Sequence, residues 1–117
     1  MLVNEGMPQQ IVNRMRKRYE DLSTHTVGIL GMAFKGDVDD ARDSLSYKLK
    51  SLLELEARSV LCSDPYVREP GLIDAQVLIE KSDIIVIGAP HSVYRTLDLR
   101  DKPVIDMWNI KGRGRRI

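Results

Sequence analysis

Apolar positions along this 117-residue chain alternate between helical and strand-like rhythms. Ile11, Val12, Met15, Tyr19 and Leu22 recur at helical spacing and Pro8 suits a first helical position, so the pattern predicts a helix over 8–22. Thr26–Leu30 is a short apolar run closed by Gly31, which reads as a buried strand. Leu45, Leu49, Leu52 and Leu53 form the stripe of a second helix ending near Ala57, with Ser44 as its N-cap. Ser59–Ser63 reads as a strand stopped by Asp64-Pro65, and 66–71 as loop. Leu72–Glu80 is predicted as a short helix with Ile73, Val77 and Leu78 inward. Ile84–Ile87 is the strongest strand, closed by Gly88-Ala89-Pro90. Ser92–Leu97 reads as one or two helical turns, Pro103–Met107 as the last strand, and Lys111–Ile117 as a basic tail.

Strands alternating with helices predict an α/β fold: a Rossmann-like parallel sheet with right-handed connections and helices on both faces, preceded by an N-terminal helix. In such sheets ligands sit at the carboxyl ends of the strands. The connection after the first strand is long for such a fold, where about 2–6 residues suffice. It carries Lys35, Arg42 and the aspartates 37, 39, 40 and 43. Lys35 and Arg42 read in two ways. They are solvated charges paired with those aspartates, which contributes little, or they are cations for phosphate, one compact and one bidentate. Spacing alone leaves both open.

Composition narrows the class. An apolar fraction of 43% and a charged fraction of 30% fit one globular domain, and a net charge of +1 makes no general case for nucleic acid or membrane binding. No apolar run approaches the ~20 residues of a membrane span, and no secretory leader is read at the start. Cys62 is the one cysteine, so a cytoplasmic location is expected; mid-strand, it reads as a small core residue rather than a nucleophile. Two histidines and one cysteine far apart predict no metal site.

Two familiar α/β functions fit poorly. Gly28 and Gly31 do not make the G-x-G-x-x-G turn of a dinucleotide site, and Asp64 reads as a strand-ending turn rather than a ribose ligand. Asp39-Asp40 and Lys102-Pro103 imitate parts of a response-regulator receiver, but Lys102 precedes the last strand, at the wrong edge of the sheet. His91 lies at the ligand edge and reads as a helix-start contact, His25 as a surface residue, and the tail cations Lys111, Arg113, Arg115 and Arg116 as a solvated terminus.

The stretch Gly31-Met-Ala-Phe-Lys-Gly-Asp-Val-Asp-Asp-Ala-Arg-Asp-Ser44 resembles the C-terminal, UDP-sugar-binding domain of the UDP-glucose/GDP-mannose dehydrogenases. The family pattern there is close to G-x-A-F-K-x-x-x-x-D-x-R-E-S, with Asp43 here in place of the glutamate. Asp64-Pro65, Ser82-Asp83, Val104–Asn109 and, upstream, Val3–Pro8 add to the resemblance, which covers nearly the whole chain.

The resemblance implies a fragment of a longer enzyme. Residues 1–23 would end the helix that connects to the rest, and 24–117 would be the UDP-sugar-binding domain. Such enzymes oxidise the C6 alcohol of a UDP- or GDP-sugar to a carboxylate in two steps with two NAD. NAD sits mainly in an N-terminal domain, and a central helical region supplies the catalytic cysteine and the homodimer contact. Cys62 does not correspond to that cysteine, so no catalytic residue is expected here and the fragment alone would be inactive. Lys35, with Phe34 beside it, matches the position that contacts the UDP-sugar. Arg42 matches the arginine that reaches toward NAD phosphate. Trp108 stands where some members place a nucleotide-binding arginine, and could stack on a ring or cover the core edge. The alternative is a free-standing Rossmann-like nucleotide-binding or scaffold domain without dehydrogenase chemistry.

Overall fold

A computed structural model describes residues 7–19, 21–32, 45–67, 69–89 and 91–106. Among these, four strands form one parallel sheet: β1 (Thr26–Leu30), β2 (Ser59–Ser63), β3 (Ile84–Ile87) and β4 (Val104–Asp106). Their order is β2-β1-β3-β4, so the chain steps to one side of β1 and then returns to the other. β1 and β3 are in register from Val27 opposite Ile84 to Leu30 opposite Ile87.

Both faces of the sheet are covered, as strands of continuous apolar sequence require. Alternate side chains point to opposite faces. Val27, Ile29, Ile84, Val86 and Ile105 join the core under α1 (Met7–Tyr19) and α2 (Leu45–Glu54). Leu30, Ile85, Ile87 and Val104 join the core under α3 (Ala75–Lys81). On that second face Gly28 permits close packing, because a Cβ there would lie 2.2 Å from Ser82 Oγ and 2.4 Å from Leu78 Cδ2.

α1 belongs to the first core. Ile11, Val12 and Met15 are buried beside Leu49 and Leu53 of α2. Arg16 adds a bidentate bridge to Glu56, with Nε to Oε2 at 2.6 Å and Nη2 to Oε1 at 2.5 Å. Arg16, Lys17 and Arg18 also place positive charge in the last turn, where the helix dipole favours it. The helix predicted to reach Leu22 ends at Tyr19. Asp21 then caps a separate 3-10 turn, Leu22–Thr24, by accepting from Ser23 N at 3.0 Å.

α3 differs most from the reading of the sequence. It starts at Ala75, because Asp74 accepts from Gln76 N at 3.0 Å and caps the helix there. Leu72 and Ile73 belong to the preceding loop, where Ile73 N donates to Cys62 O. From that start Leu78 and Ile79 face the sheet, while Val77 turns outward and is 37% exposed. At the other end Lys102 Nζ donates to Glu80 O at 2.9 Å and Ser82 O at 2.6 Å, satisfying carbonyls of the final turn.

The second helix, expected to end near Ala57, ends at Glu54. The turn after β3 is a 3-10 helix, Ser92–Arg95. Among the described residues no helix is long and apolar enough to cross a membrane.

Candidate functional site

The sheet order puts a switch point between β1 and β3. Connections leave these two strands in opposite directions, and in open α/β sheets ligands bind at the carboxyl ends beside such a point. Gly31 and Met32 continue β1 at this edge, Asp64 ends β2, and Gly88, Ala89 and His91 continue β3. Gly31 adopts φ +97, and a Cβ on it would lie 2.7 Å from both Ala89 N and Ala89 Cβ. Glycine is required on both counts.

Asp64 organises this edge. Its Oδ1 accepts from Tyr66 N at 2.7 Å and Val67 N at 3.0 Å, closing the strand-ending turn expected of Asp-Pro. Its Oδ2 reaches across β1, accepting from Met32 N at 2.7 Å, and meets His91 Nε2 at 2.7 Å. Both side chains are fully buried. Burial opposes the charge on Asp64, but the bonds from His91, Tyr66, Val67 and Met32 outweigh it and hold the carboxyl below the usual carboxylate range. An ionised carboxylate only accepts, so the proton in the shared bond lies on His91 Nε2. The imidazole is further held edge-on by Tyr66, with centroids 4.8 Å apart, and by Tyr94 at 5.5 Å.

Residues 32 and 46 bracket the long charged connection, and both are tied to the switch point. Met32 gives its amide to Asp64, and Ser46 Oγ donates to Gly88 O at 2.8 Å. Of the residues singled out from the sequence, Phe34, Lys35, Arg42, Ser44 and Trp108 lie outside the described residues. His91 does sit at the start of the turn it precedes, where its carbonyl accepts from Tyr94 N at 3.1 Å, but its side chain makes no cap bond and pairs with Asp64. His25 is half-buried, its Nδ1 3.0 Å from Asp21 O. Cys62 is a buried core residue, and burial pushes its thiol up to about 11. No group of three His, Cys, Asp or Glu suited to a metal ion occurs among the described residues.

The buried Asp64–His91 pair was the feature sequence reasoning missed. The available signal was that Asp64 directly follows one strand of a parallel sheet and His91 lies four residues beyond the end of another, which places both at one edge.

Comparison with known proteins fits this architecture. Residues 28–113 match the UDP-glucose/GDP-mannose dehydrogenase family, UDP binding domain. The chain is 33% identical to a UDP-N-acetyl-D-mannosamine dehydrogenase of Methanocaldococcus jannaschii, over 95% of this chain and 29% of that protein. The structure of a UDP-N-acetyl-mannosamine dehydrogenase from Staphylococcus aureus superposes with a TM-score of 0.80 at 28% identity, covering 92% of this chain and 28% of that one. A UDP-glucose dehydrogenase from Pyrobaculum islandicum gives a TM-score of 0.77 at 31% identity, over 88% and 26%. The chain therefore spans under a third of these relatives. Sequence match and sheet agree: this chain belongs to the UDP-glucose/GDP-mannose dehydrogenase family, as its UDP binding domain.

Proposed function

We propose that this chain forms one wall of a nucleotide-sugar site in a longer, NAD-dependent dehydrogenase that oxidises the sugar's C6 alcohol to a uronic acid in two steps with two NAD. The observation that carries this reading is the family match over 28–113, which runs through the connection leaving the β1/β3 switch point. In this reading Phe34, Lys35 and Trp108 contact the nucleotide sugar and Arg42 approaches NAD phosphate. UDP-N-acetyl-D-mannosamine dehydrogenases recur among the relatives, which favours a UDP-N-acetylhexosamine as substrate.

The described residues fit a division of labour with other parts of the enzyme. Gly31 is packed on Ala89, and the sequence after the first strand lacks the G-x-G-x-x-G spacing of a dinucleotide turn. NAD would then be held mainly by an N-terminal domain outside this chain, with Arg42 reaching it from this side. Cys62 is buried and its thiol is raised, so the thiolate a covalent mechanism needs would come from the central helical region. α1 would be the end of the helix joining that region to this domain. The full enzyme would be a cytoplasmic homodimer, dimerising through the central region.

The test is Lys35→Ala in the full-length enzyme. Removing a charge-assisted phosphate contact is expected to weaken UDP-sugar binding by about tenfold or more. The melting temperature should stay near that of the wild type, because a loop cation adds little to the core. Unchanged affinity for UDP-N-acetylglucosamine, UDP-N-acetylmannosamine and UDP-glucose would sink the assignment.

A further inference from the structure

We propose that Asp64 and His91 are positioning residues for the nucleotide-sugar edge, acting through the backbone of Met32 rather than by touching ligand. The inference rests on the functional reading above and deepens it. The two residues lie 27 positions apart, beyond the carboxyl ends of strands that flank β1 from opposite sides. Their side chains meet behind the end of β1, where Oδ2 of Asp64 takes both the Met32 amide and the His91 Nε2–H at 2.7 Å.

A simpler acceptor would satisfy Met32. The strand-ending turn needs only Oδ1, which takes Tyr66 N and Val67 N. The second oxygen is turned inward and held by a fully buried imidazole that is itself wedged between Tyr66 and Tyr94. Burying both groups is costly unless each is hydrogen-bonded. What the arrangement secures is the placement of one backbone amide, two residues ahead of Phe34 and three ahead of Lys35. Small displacements of a binding group cost large factors in affinity and rate.

Substitutions at the two positions separate positioning from mere packing. Asp64→Asn can keep Oδ1 for Tyr66 N and Val67 N, but its amide nitrogen cannot accept from Met32. The Met32 amide therefore loses its acceptor. His91→Gln keeps an N–H donor for Asp64, whereas His91→Leu removes it.

The experiment follows amide hydrogen exchange and binding of UDP-N-acetylglucosamine in the full-length protein. Asp64→Asn and His91→Leu should speed exchange at the Met32 amide and weaken nucleotide-sugar binding by about tenfold, with the amides of 26–30 and 84–87 still protected. His91→Gln should restore both towards wild type. Unchanged Met32 exchange in Asp64→Asn, protection lost throughout the sheet, or a glutamine variant as impaired as leucine would each overturn the proposal. A wild-type protein that shows the exchange pattern but binds no UDP compound would support the anchor and overturn the nucleotide-sugar reading instead.

Discussion

At the residue scale, Asp64 makes the fold sensitive to acid. Its folded-state pKa lies below the ordinary value because four hydrogen bonds favour the carboxylate over the acid despite burial. A depressed carboxylate stabilises the fold above its unfolded pKa, and that contribution is lost as pH falls through the folded value. At neutral pH Asp64→Asn should therefore cost about 1–3 kcal/mol, the range for removing an acceptor from a buried donor. The gap between wild type and variant should narrow as pH drops below the usual carboxylate range, which urea unfolding at a series of pH values would measure. A gap independent of pH would mean that the carboxylate's charge is not what stabilises this edge. None of this was readable from the sequence. Asp64 has a sufficient local explanation in Asp-Pro, and His91 has one in the turn that follows it. Only the order β2-β1-β3, a long-range property, brings the two behind β1.

At the scale of elements, legibility tracks burial. The first three strands run over the residues the apolar runs predict, since a strand covered on both faces has little freedom of sequence. Helix limits were less legible. Leu72 and Ile73 extend the apolar pattern but pack as loop, so the capping by Asp74 moves the start of α3 and exchanges Val77 for Ile79 on the inner face. α1 carries the sharper lesson. Its stripe predicts a helix needing a partner, and the partner is α2, in the same core as β1 and β3. Met15, fully buried in that core, should therefore behave as a core residue: Met15→Ala should cost about 2–5 kcal/mol. Arg16→Ala, at the exposed bridge to Glu56, should change stability far less, because surface ion pairs contribute little even with good geometry. Chemical denaturation of both variants checks the ranking. If Met15→Ala unfolded at the wild-type midpoint, α1 would be a loosely attached appendage.

At the scale of the whole molecule, the described residues form a pinned carboxyl edge on the sheet. Gly31 is committed to Ala89, and Asp64 to Met32 and His91. In the proposed reading such a domain presents groups to a facing domain, and two cations on one connection then serve different ligands. Lys35, matched to the sugar-nucleotide position, and Arg42, matched to the NAD-directed one, are seven residues apart in sequence. Arginine's fixed fork suits a phosphate approached from one direction across an interface, and its charge acts more strongly once water is excluded by domain closure. In the full-length enzyme Arg42→Ala should raise KM for NAD or lower kcat by about tenfold, the size of a lost charged hydrogen bond. UDP-sugar affinity, measured by calorimetry without NAD, should stay within about twofold of wild type, a difference well under 1 kcal/mol. Lys35→Ala should show the converse pattern. Equal losses in both assays for both variants would mean that the connection acts as a single electrostatic patch, and that the two cations have no separate ligands.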